Sequence, residues 1–119
     1  METKRLLFLD DIRSPKDAYH YTKQEIFGRE DWHIARNYRE FAGWIFENGL
    51  PEMISFDHDL ADVEKTSQDF VEKTGYDCAK WLIAYCMDHG LELPQYYCHS
   101  MNPVGKQNIE SLLNNFKKR

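Results

Sequence analysis

The sequence has little positive charge for its length. Fifteen Lys and Arg residues stand against twenty Asp and Glu residues, and the formal net charge is −5. This balance argues against an extended nucleic-acid-binding face, because neutralising a phosphate backbone requires clustered basic side chains. The one basic run, residues 117–119, is interpreted as a solvated tail. A single nucleotide or a strand end needs only a local positive site, so both are still allowed as partners.

Cysteine and long apolar runs are also scarce. The three cysteines, Cys78, Cys86 and Cys98, form no CxxC pair, so neither a disulfide framework nor a zinc knuckle is indicated. No segment approaches the roughly 18 apolar residues that span a bilayer, and the N-terminus has no signal-peptide pattern. We therefore expect a small cytoplasmic protein that makes no membrane contact.

What the sequence does contain is an alternation of strand-like and helix-like segments. Apolar runs, and at the second strand an alternation of side chains, predict four strands, at residues 5–10, 31–37, 53–56 and 95–99. A helix is predicted after each strand, and the order βαβαβαβα predicts a parallel sheet with helices on both faces. The length favours one domain over residues 1–119. Residues 60–73 are polar, acidic and without periodicity, which favours a lid or a binding loop.

Capping residues and apolar spacing support three of these helices. Ser14 and Pro15 are typical of an N-cap and a first helical position, and the weakly patterned helix after them is expected to reach about Phe27. Thr74 and Asp77 have the spacing of a capping box, with Asp in place of the usual Glu. Apolar residues at i, i+3, i+4 and i+7 between positions 109 and 116 predict a last helix with one buried stripe.

Acidic and polar residues follow three of the predicted strands. Asp10 and Asp11 end the first, Asp57 ends the third, and His99 and Ser100 end the fourth. In parallel sheets these ends meet at one edge, and carboxylates crowded there repel one another unless a cation or protons neutralise them. Carboxylate oxygens suit Mg²⁺ or Mn²⁺, whereas an added imidazole widens the choice to Zn²⁺ or Fe²⁺. The alternative is that each acid only caps a following turn or helix.

The histidines at the same edge are candidates for proton transfer. His58 and His99 could each act as general acid or base near neutral pH, and Asp59 could orient one imidazole. The remaining histidines are interpreted as structural residues; they are His20, His33 and His89.

A candidate phosphate site lies beside these acids. Ser100 and Asn102 lead directly into the last helix, whose N-terminal N–H groups and dipole favour an anion, and Lys106 could add a charge. Arg13 and Arg36 are candidate phosphate clamps, although a surface salt bridge is an equally good interpretation of Arg36.

The pattern of strand ends resembles the receiver domains of response regulators. Residues 7–11, an acid at the end of the third strand and a hydroxyl at the end of the fourth carry this resemblance. It implies that Asp57 accepts a phosphoryl group, that Ser100 is the switch hydroxyl, and that the first strand neighbours the second and the third. The fifth strand of receivers and its lysine are missing, and Asp57 is followed by His58-Asp59 instead of an apolar-rich turn.

A fuller resemblance is to the cyclic-phosphate-processing receiver-like domains. It rests on the motifs Leu-Asp-Asp-x-Arg-x-Pro, Ser-Phe-Asp-His-Asp-Leu, Thr-Gly-Tyr-Asp and His-Ser-x-Asn-Pro-x-Gly, at residues 9–15, 55–60, 74–77 and 99–105. It implies a flavodoxin-like, three-layer α/β sandwich with a truncated parallel sheet in the order 2-1-3-4. The implied activity is hydrolysis of a cyclic phosphate on a nucleotide or an RNA-end product.

Three functions follow as hypotheses. The first is a cyclic phosphodiesterase in which Asp10, Asp11 and Asp57 hold a divalent cation, most simply Mg²⁺ or Mn²⁺. His58 and His99 would then exchange protons. In the second, Asp57 is the phosphoacceptor of a signalling receiver. In the third, the protein binds and sequesters a cyclic nucleotide without turnover.

Overall fold

The computed structural model describes residues 5–65 and 70–118. The strands are β1 (Leu6–Leu9), β2 (Trp32–Ala35), β3 (Met53–Phe56), β4 (Asp62–Lys65), β5 (Phe70–Lys73) and β6 (Gln95–Cys98). The helices are α1 (Pro15–Thr22), α2 (Tyr38–Asn48), α3 (Gly75–His89) and α4 (Pro103–Lys117), and a short 3-10 helix covers Glu25–Gly28. None of the helices in the described part of the chain is long and apolar enough to cross a membrane.

Four strands form one parallel sheet in the order β2-β1-β3-β6. Leu9 of β1 lies beside Ala35 of β2 and Phe56 of β3, and Phe56 lies beside Cys98 of β6. The predicted order 2-1-3-4 is therefore confirmed, with β6 as the fourth parallel strand. Because these strands end level with one another, the residues that follow them emerge side by side at one edge.

Both faces of the sheet are covered, because successive residues of a strand point to opposite faces. Leu7 and Leu9 belong to a core covered by α2, α3 and α4, while Leu6 and Phe8 pack with Phe27 on the side of α1. All four side chains of β1 are buried. This double coverage explains why β1 reads as a continuous apolar run.

The segment predicted as a loop at residues 60–73 contains an antiparallel strand pair. Asp62 of β4 lies opposite Lys73 of β5, and Lys65 lies opposite Phe70; residues 66–69 are outside the described residues. Strand pairing uses backbone hydrogen bonds, and strands of four residues with at most two apolar residues carry no periodic signal. This strand pair was therefore not predicted from the sequence, and the role of the segment as a lid or a binding loop stays a prediction.

The first helix is shorter than predicted. It ends at Thr22, because Lys23 adopts a left-handed backbone conformation (φ 59°) and donates its N–H to the carbonyl oxygen of Tyr19 at 2.9 Å. The chain reaches the buried Phe27 through the 3-10 helix. A lysine at positive φ has no sequence signal comparable to that of glycine, so this end was not predictable.

Candidate functional site

The ends of β1, β3 and β6 surround one open cleft. Asp10, Asp57 and His99 directly follow these three strands at the carboxyl edge of the sheet, where sites of parallel sheets form. The cleft has a volume of about 380 Å³. Its lining residues are Asp11, Ile12, Arg13, Asp57, Asp59, Ser100, Met101 and Asn102.

A buried chain of three polar side chains joins the strand ends. His99 contacts the Asp10 carboxylate through Nε2 (3.0 Å to Oδ2) and the Ser55 hydroxyl through Nδ1 (2.7 Å to Oγ). Its ring stacks on Phe8 with the ring centroids 4.3 Å apart. Asp10 and Ser55 are 0% exposed and His99 is 1% exposed. Because both ring nitrogens are occupied and the hydroxyl is inaccessible, this chain positions Asp10 and presents no nucleophile.

The Asp10 carboxylate receives hydrogen bonds on both oxygens. Oδ1 accepts from the backbone N–H groups of Ile12 (3.0 Å) and Arg13 (2.8 Å), and Oδ2 faces His99. Burial raises the pKa of Asp10, but the hydrogen bonds from these three residues outweigh burial and leave its pKa below the ordinary value. An ionised carboxylate can only accept, so the Nε2–H group of His99 donates the hydrogen bond to Asp10 Oδ2.

Asp57 lies in the opposite electrostatic environment. Burial, followed by the negative charge of Asp10, raises the pKa of Asp57. The opposing interactions, with His99, the His58 N–H (2.9 Å) and the Ser100 side chain, do not cancel that rise. The residue is 5% exposed and lines the cleft. Burial and the charge of Asp10 therefore disfavour its ionised form.

Asp10, Asp57 and His99 form a group that could hold a metal ion. One ligand atom from each lies within 4.8 Å of the others. A cation between the carboxylates would relieve the repulsion that raises the pKa of Asp57, so the donor chemistry fits. Coordination by His99 would break a hydrogen bond of the buried chain, which favours the two carboxylates as ligands. Asp11 lines the cleft outside this group, and its role as a third ligand stays a prediction.

A second chain of side chains runs from β3 to α4. His58 contacts Asp59 through Nδ1 (2.9 Å to Oδ1), and the Asn102 side chain donates from Nδ2 to Asp59 Oδ2 at 3.1 Å. The hydrogen bond with His58 is the main cause that lowers the pKa of Asp59. Asn102 also caps α4, since its Oδ1 accepts from the Gly105 N–H at 3.0 Å. The imidazole and the helix start are thereby fixed relative to each other.

The His58 ring packs directly on the first turn of α4. A Cβ placed on Gly105 would lie 2.3 Å from His58 Cγ, so glycine leaves the space that the ring occupies. The His58 side chain is 19% exposed. Its Nε2 has no hydrogen-bond partner within residues 5–65 and 70–118. This nitrogen is therefore the one of the two that can form a hydrogen bond with a ligand.

The three predicted basic contacts have different surroundings. Arg13 lines the cleft, with its guanidinium 5.6 Å from the centroid of the Tyr21 ring. Arg36 donates from Nη1 to the carbonyl oxygens of Asp10 (3.2 Å) and Arg13 (2.7 Å), so it clamps the loop after β1. The Lys106 ammonium lies 5.6 Å from the centroid of the Tyr97 ring, and Lys106 is not a lining residue. Of the three, only Arg13 faces the cleft.

A family model described as the cyclic-phosphate processing receiver domain matches residues 5–115. The chain belongs to this family. The matched range includes every residue that lines the cleft. Comparison with curated proteins and with solved structures found no match.

Two polar contacts of this cyclic-phosphate processing receiver domain were not predicted from its sequence. Ser55 is the single hydroxyl in the otherwise apolar β3, and that contrast was a usable signal. Tyr21 donates its hydroxyl to the carbonyl oxygen of His99 at 2.9 Å. Burial raises the pKa of Tyr21 to about 12, so it remains a donor at neutral pH. Its partner lies 78 residues away, so no local pattern could reveal the contact.

The Thr74–Asp77 capping box is confirmed, and it places Gly75 directly on the backbone that carries Asp57. The Gly75 N–H donates to the His58 carbonyl oxygen at 2.8 Å, and a Cβ on Gly75 would lie 1.8 Å from the Asp57 carbonyl oxygen. We predict that Gly75→Ala destabilises the receiver domain by about 1–3 kcal/mol or more, because backbone cannot move aside cheaply. Urea denaturation measures the change.

Gly43→Ala is the matched control for this variant. Gly43 lies inside α2, it is exposed, and a Cβ there meets nothing within 4 Å. The same substitution should therefore stabilise the helix by up to about 1 kcal/mol. Equal stability of the Gly75→Ala and Gly43→Ala variants would contradict the close packing at the start of α3.

Proposed function

We propose that this receiver domain hydrolyses a cyclic phosphodiester to a phosphomonoester, with a divalent cation, on a nucleotide or an RNA-end-derived substrate. The observation that carries the proposal is that two different acid–base systems meet at one cleft, the first through Asp57 and the second through Asp59, although His58 itself is not a lining residue. The buried carboxylates of Asp10 and Asp57 suit charge neutralisation. The His58–Asp59 pair suits proton transfer. A domain that only accepts a phosphoryl group has use for the first system alone.

The phosphate is proposed to bind between the carboxylates and the start of α4. Arg13 supplies a positive charge on the cleft, Ser100 supplies a hydroxyl, and the helix dipole favours an anion there. Asn102 keeps the helix start in place through its cap. Arg36 would act on the substrate indirectly, because its guanidinium holds the carbonyl oxygens of the Arg13 loop. Lys106 would contribute only longer-range attraction.

The cation is proposed to bind to Asp10 and Asp57, with Asp11 as a further oxygen ligand at the cleft. A set of carboxylate oxygens suits Mg²⁺ or Mn²⁺ better than softer metals. Such an ion, when bound, polarises a phosphoryl oxygen and eases the loss of a proton from water. Asp10 is pre-positioned for this role by its hydrogen bonds to His99 and to the backbone of the following turn.

Opening the ring requires one proton to leave the attacking water and one to reach the leaving sugar oxygen. We assign this exchange to His58, whose Nε2 has no partner in the described part of the chain. Asp59 holds Nδ1 and thereby orients the ring. His99 was predicted for the same task, but both of its nitrogens are engaged, so we assign it to the positioning of Asp10.

A phosphotransfer receiver is the second candidate. The observation in its favour is that Asp57 ends β3, Ser100 follows the neighbouring β6, and the Ser100 side chain interacts with the Asp57 carboxylate. In this function Asp57 accepts a phosphoryl group and Ser100 is the switch hydroxyl. The His58–Asp59 pair then has no chemical task. A sequestering protein, the third candidate, would bind a cyclic nucleotide without changing it.

The deciding experiment is a phosphorus NMR screen of 2′,3′-cyclic and 3′,5′-cyclic nucleotides, with Mg²⁺, with Mn²⁺ and with a chelator. We expect the cyclic resonance of at least one nucleotide to be replaced by that of a phosphomonoester only when the metal is present. Hydrolysis that continues in the presence of the chelator would show that the reaction does not require a cation. Binding without conversion would support the sequestering protein, and labelling of Asp57 by acetyl phosphate would support the signalling receiver.

A further inference from the structure

The cleft has two apolar side chains on an otherwise polar lining. Ile12 is 75% exposed and Met101 is 63% exposed, and the six other lining residues are charged or polar. Small-molecule sites combine apolar walls with a few placed polar groups, and a ligand that fits such a site has a polar part and an apolar part. A phosphate alone would leave Ile12 and Met101 without a contact.

Hydrogen-bonded turns hold both apolar residues at the cleft. The Ile12 N–H donates to Asp10 Oδ1 at 3.0 Å, which fixes the backbone at the turn after β1. Met101 lies between Ser100 and Asn102, and the Asn102 N–H donates to Ser100 Oγ at 3.1 Å. The exposure of the two side chains is thus set by these turns, which are also the turns that carry the cleft's polar groups.

We propose that Ile12 and Met101 form an apolar subsite that binds the nucleobase of a nucleoside cyclic phosphate whose phosphate lies at Asp57. The inference rests on the proposed function, and it separates nucleoside substrates from small cyclic phosphodiesters that lack a base. A volume of about 380 Å³ lies within the usual range for small-ligand sites. Aliphatic and thioether side chains contact the face of a ring, and methionine sulfur interacts favourably with aromatic rings.

The subsite should select bases by the size of their rings and not by their hydrogen-bonding groups. Asn102 supplies the only side-chain amide among the lining residues, and both of its ends are engaged, Oδ1 with the Gly105 N–H and Nδ2 with Asp59. An amide with both ends free is the group that reads adenine through paired hydrogen bonds. Purine nucleotides should therefore bind more tightly than pyrimidine nucleotides, because their rings are larger. Adenine and guanine nucleotides should bind with similar affinity.

The test compares two ligands in the double variant Ile12→Ser/Met101→Ser. The probes are 2′,3′-cyclic AMP and ethylene phosphate, a five-membered cyclic phosphodiester without sugar or base. We expect the Kd and KM for 2′,3′-cyclic AMP to rise on the order of tenfold, the loss that follows when roughly 50–60 Å² of apolar contact is removed. The kcat, the affinity for Mn²⁺ and all constants for ethylene phosphate should stay at wild-type values.

Phe46→Ser is the matched control, because Phe46 is 79% exposed on α2 and does not line the cleft. Unchanged binding of 2′,3′-cyclic AMP by the double variant would overturn the subsite, as would an equal loss for both ligands or a wild-type protein that binds neither. If the wild type binds 2′,3′-cyclic AMP without hydrolysing it, the proposed hydrolase is wrong. A selective loss of its binding in the double variant would then still support the subsite.

Discussion

Asp57→Asn is expected to abolish both divalent-cation binding and hydrolysis of cyclic phosphates, while the protein stays as stable as the wild type or becomes more stable. The substitution removes a carboxylate ligand from the group formed with Asp10 and His99. It also removes the group whose ionised form is disfavoured by burial and by the charge of Asp10. Loss of function and gain of stability therefore have the same electrostatic cause.

The pH dependence of stability gives this prediction a second readout. Because the pKa of Asp57 is raised in the folded state, the folded protein holds its proton at pH values where the unfolded chain has lost it. In the metal-free wild type, this contribution to stability is present below the ordinary pKa of aspartate and is lost as the pH rises through the folded-state pKa. Urea denaturation in a chelator should show this loss in the wild type and not in Asp57→Asn.

Calorimetry with Mn²⁺ measures the binding part of the prediction. Asp88→Asn is the matched control, since it removes the same charge from an exposed position on α3. The control should bind Mn²⁺ like the wild type. Wild-type affinity for Mn²⁺ in Asp57→Asn would show that Asp57 is not a ligand, whatever happens to activity.

His58→Ala is expected to lower kcat by about 10²–10⁴-fold, the contribution of a typical general acid or base. This corresponds to roughly 3–5 kcal/mol of activation free energy. The KM should change far less, because the cation and the start of α4 would still hold the phosphate. Single-turnover hydrolysis of a cyclic nucleotide measures the effect. His20→Ala is the control, since His20 is exposed on α1.

Gly105→Ala provides an independent way to disturb the same imidazole. The added Cβ would occupy the space of the His58 ring, although alanine itself favours a helix. We expect this variant to lose part of the activity that His58→Ala loses. If hydrolysis survives both changes while acetyl phosphate labels Asp57 stably, the signalling receiver replaces the hydrolase as the better interpretation.

His99→Ala is expected to differ from His58→Ala in its effect on stability. Removing His99 takes away the hydrogen-bond partner of Asp10 Oδ2 and of the buried Ser55 hydroxyl, while Asp10 Oδ1 keeps its two backbone N–H donors. An unsatisfied buried group costs about 1–3 kcal/mol. His58 is partly exposed and hydrogen-bonded to the exposed Asp59, so its removal should lower the free energy of unfolding much less. Equal stability of the two variants would contradict the positioning role of His99.

Much of the fold was predictable because it depends on local patterns. The apolar run of β1 indicates a strand covered on both faces, and the alternation of strands and helices restricts the topology to a parallel sheet. The strand ends that carry Asp10, Asp57 and His99 could therefore be placed at one edge before the structure was known. The β4–β5 pair could not be predicted, since strands of four residues with at most two apolar residues carry no periodic signal.

By itself, the sequence determined that these residues meet at the carboxyl edge of the sheet, because the alternation of strands and helices implies parallel strands, and the resemblance to receiver-like domains implied the order of those strands. Only the tertiary structure decided what each side chain does there. His58 and His99 look alike in the sequence, yet one ring lies against Gly105 with Nε2 unpaired in the described structure, while the other is buried between Ser55 and Asp10. That difference arises from contacts between residues more than 40 positions apart, which no local pattern encodes.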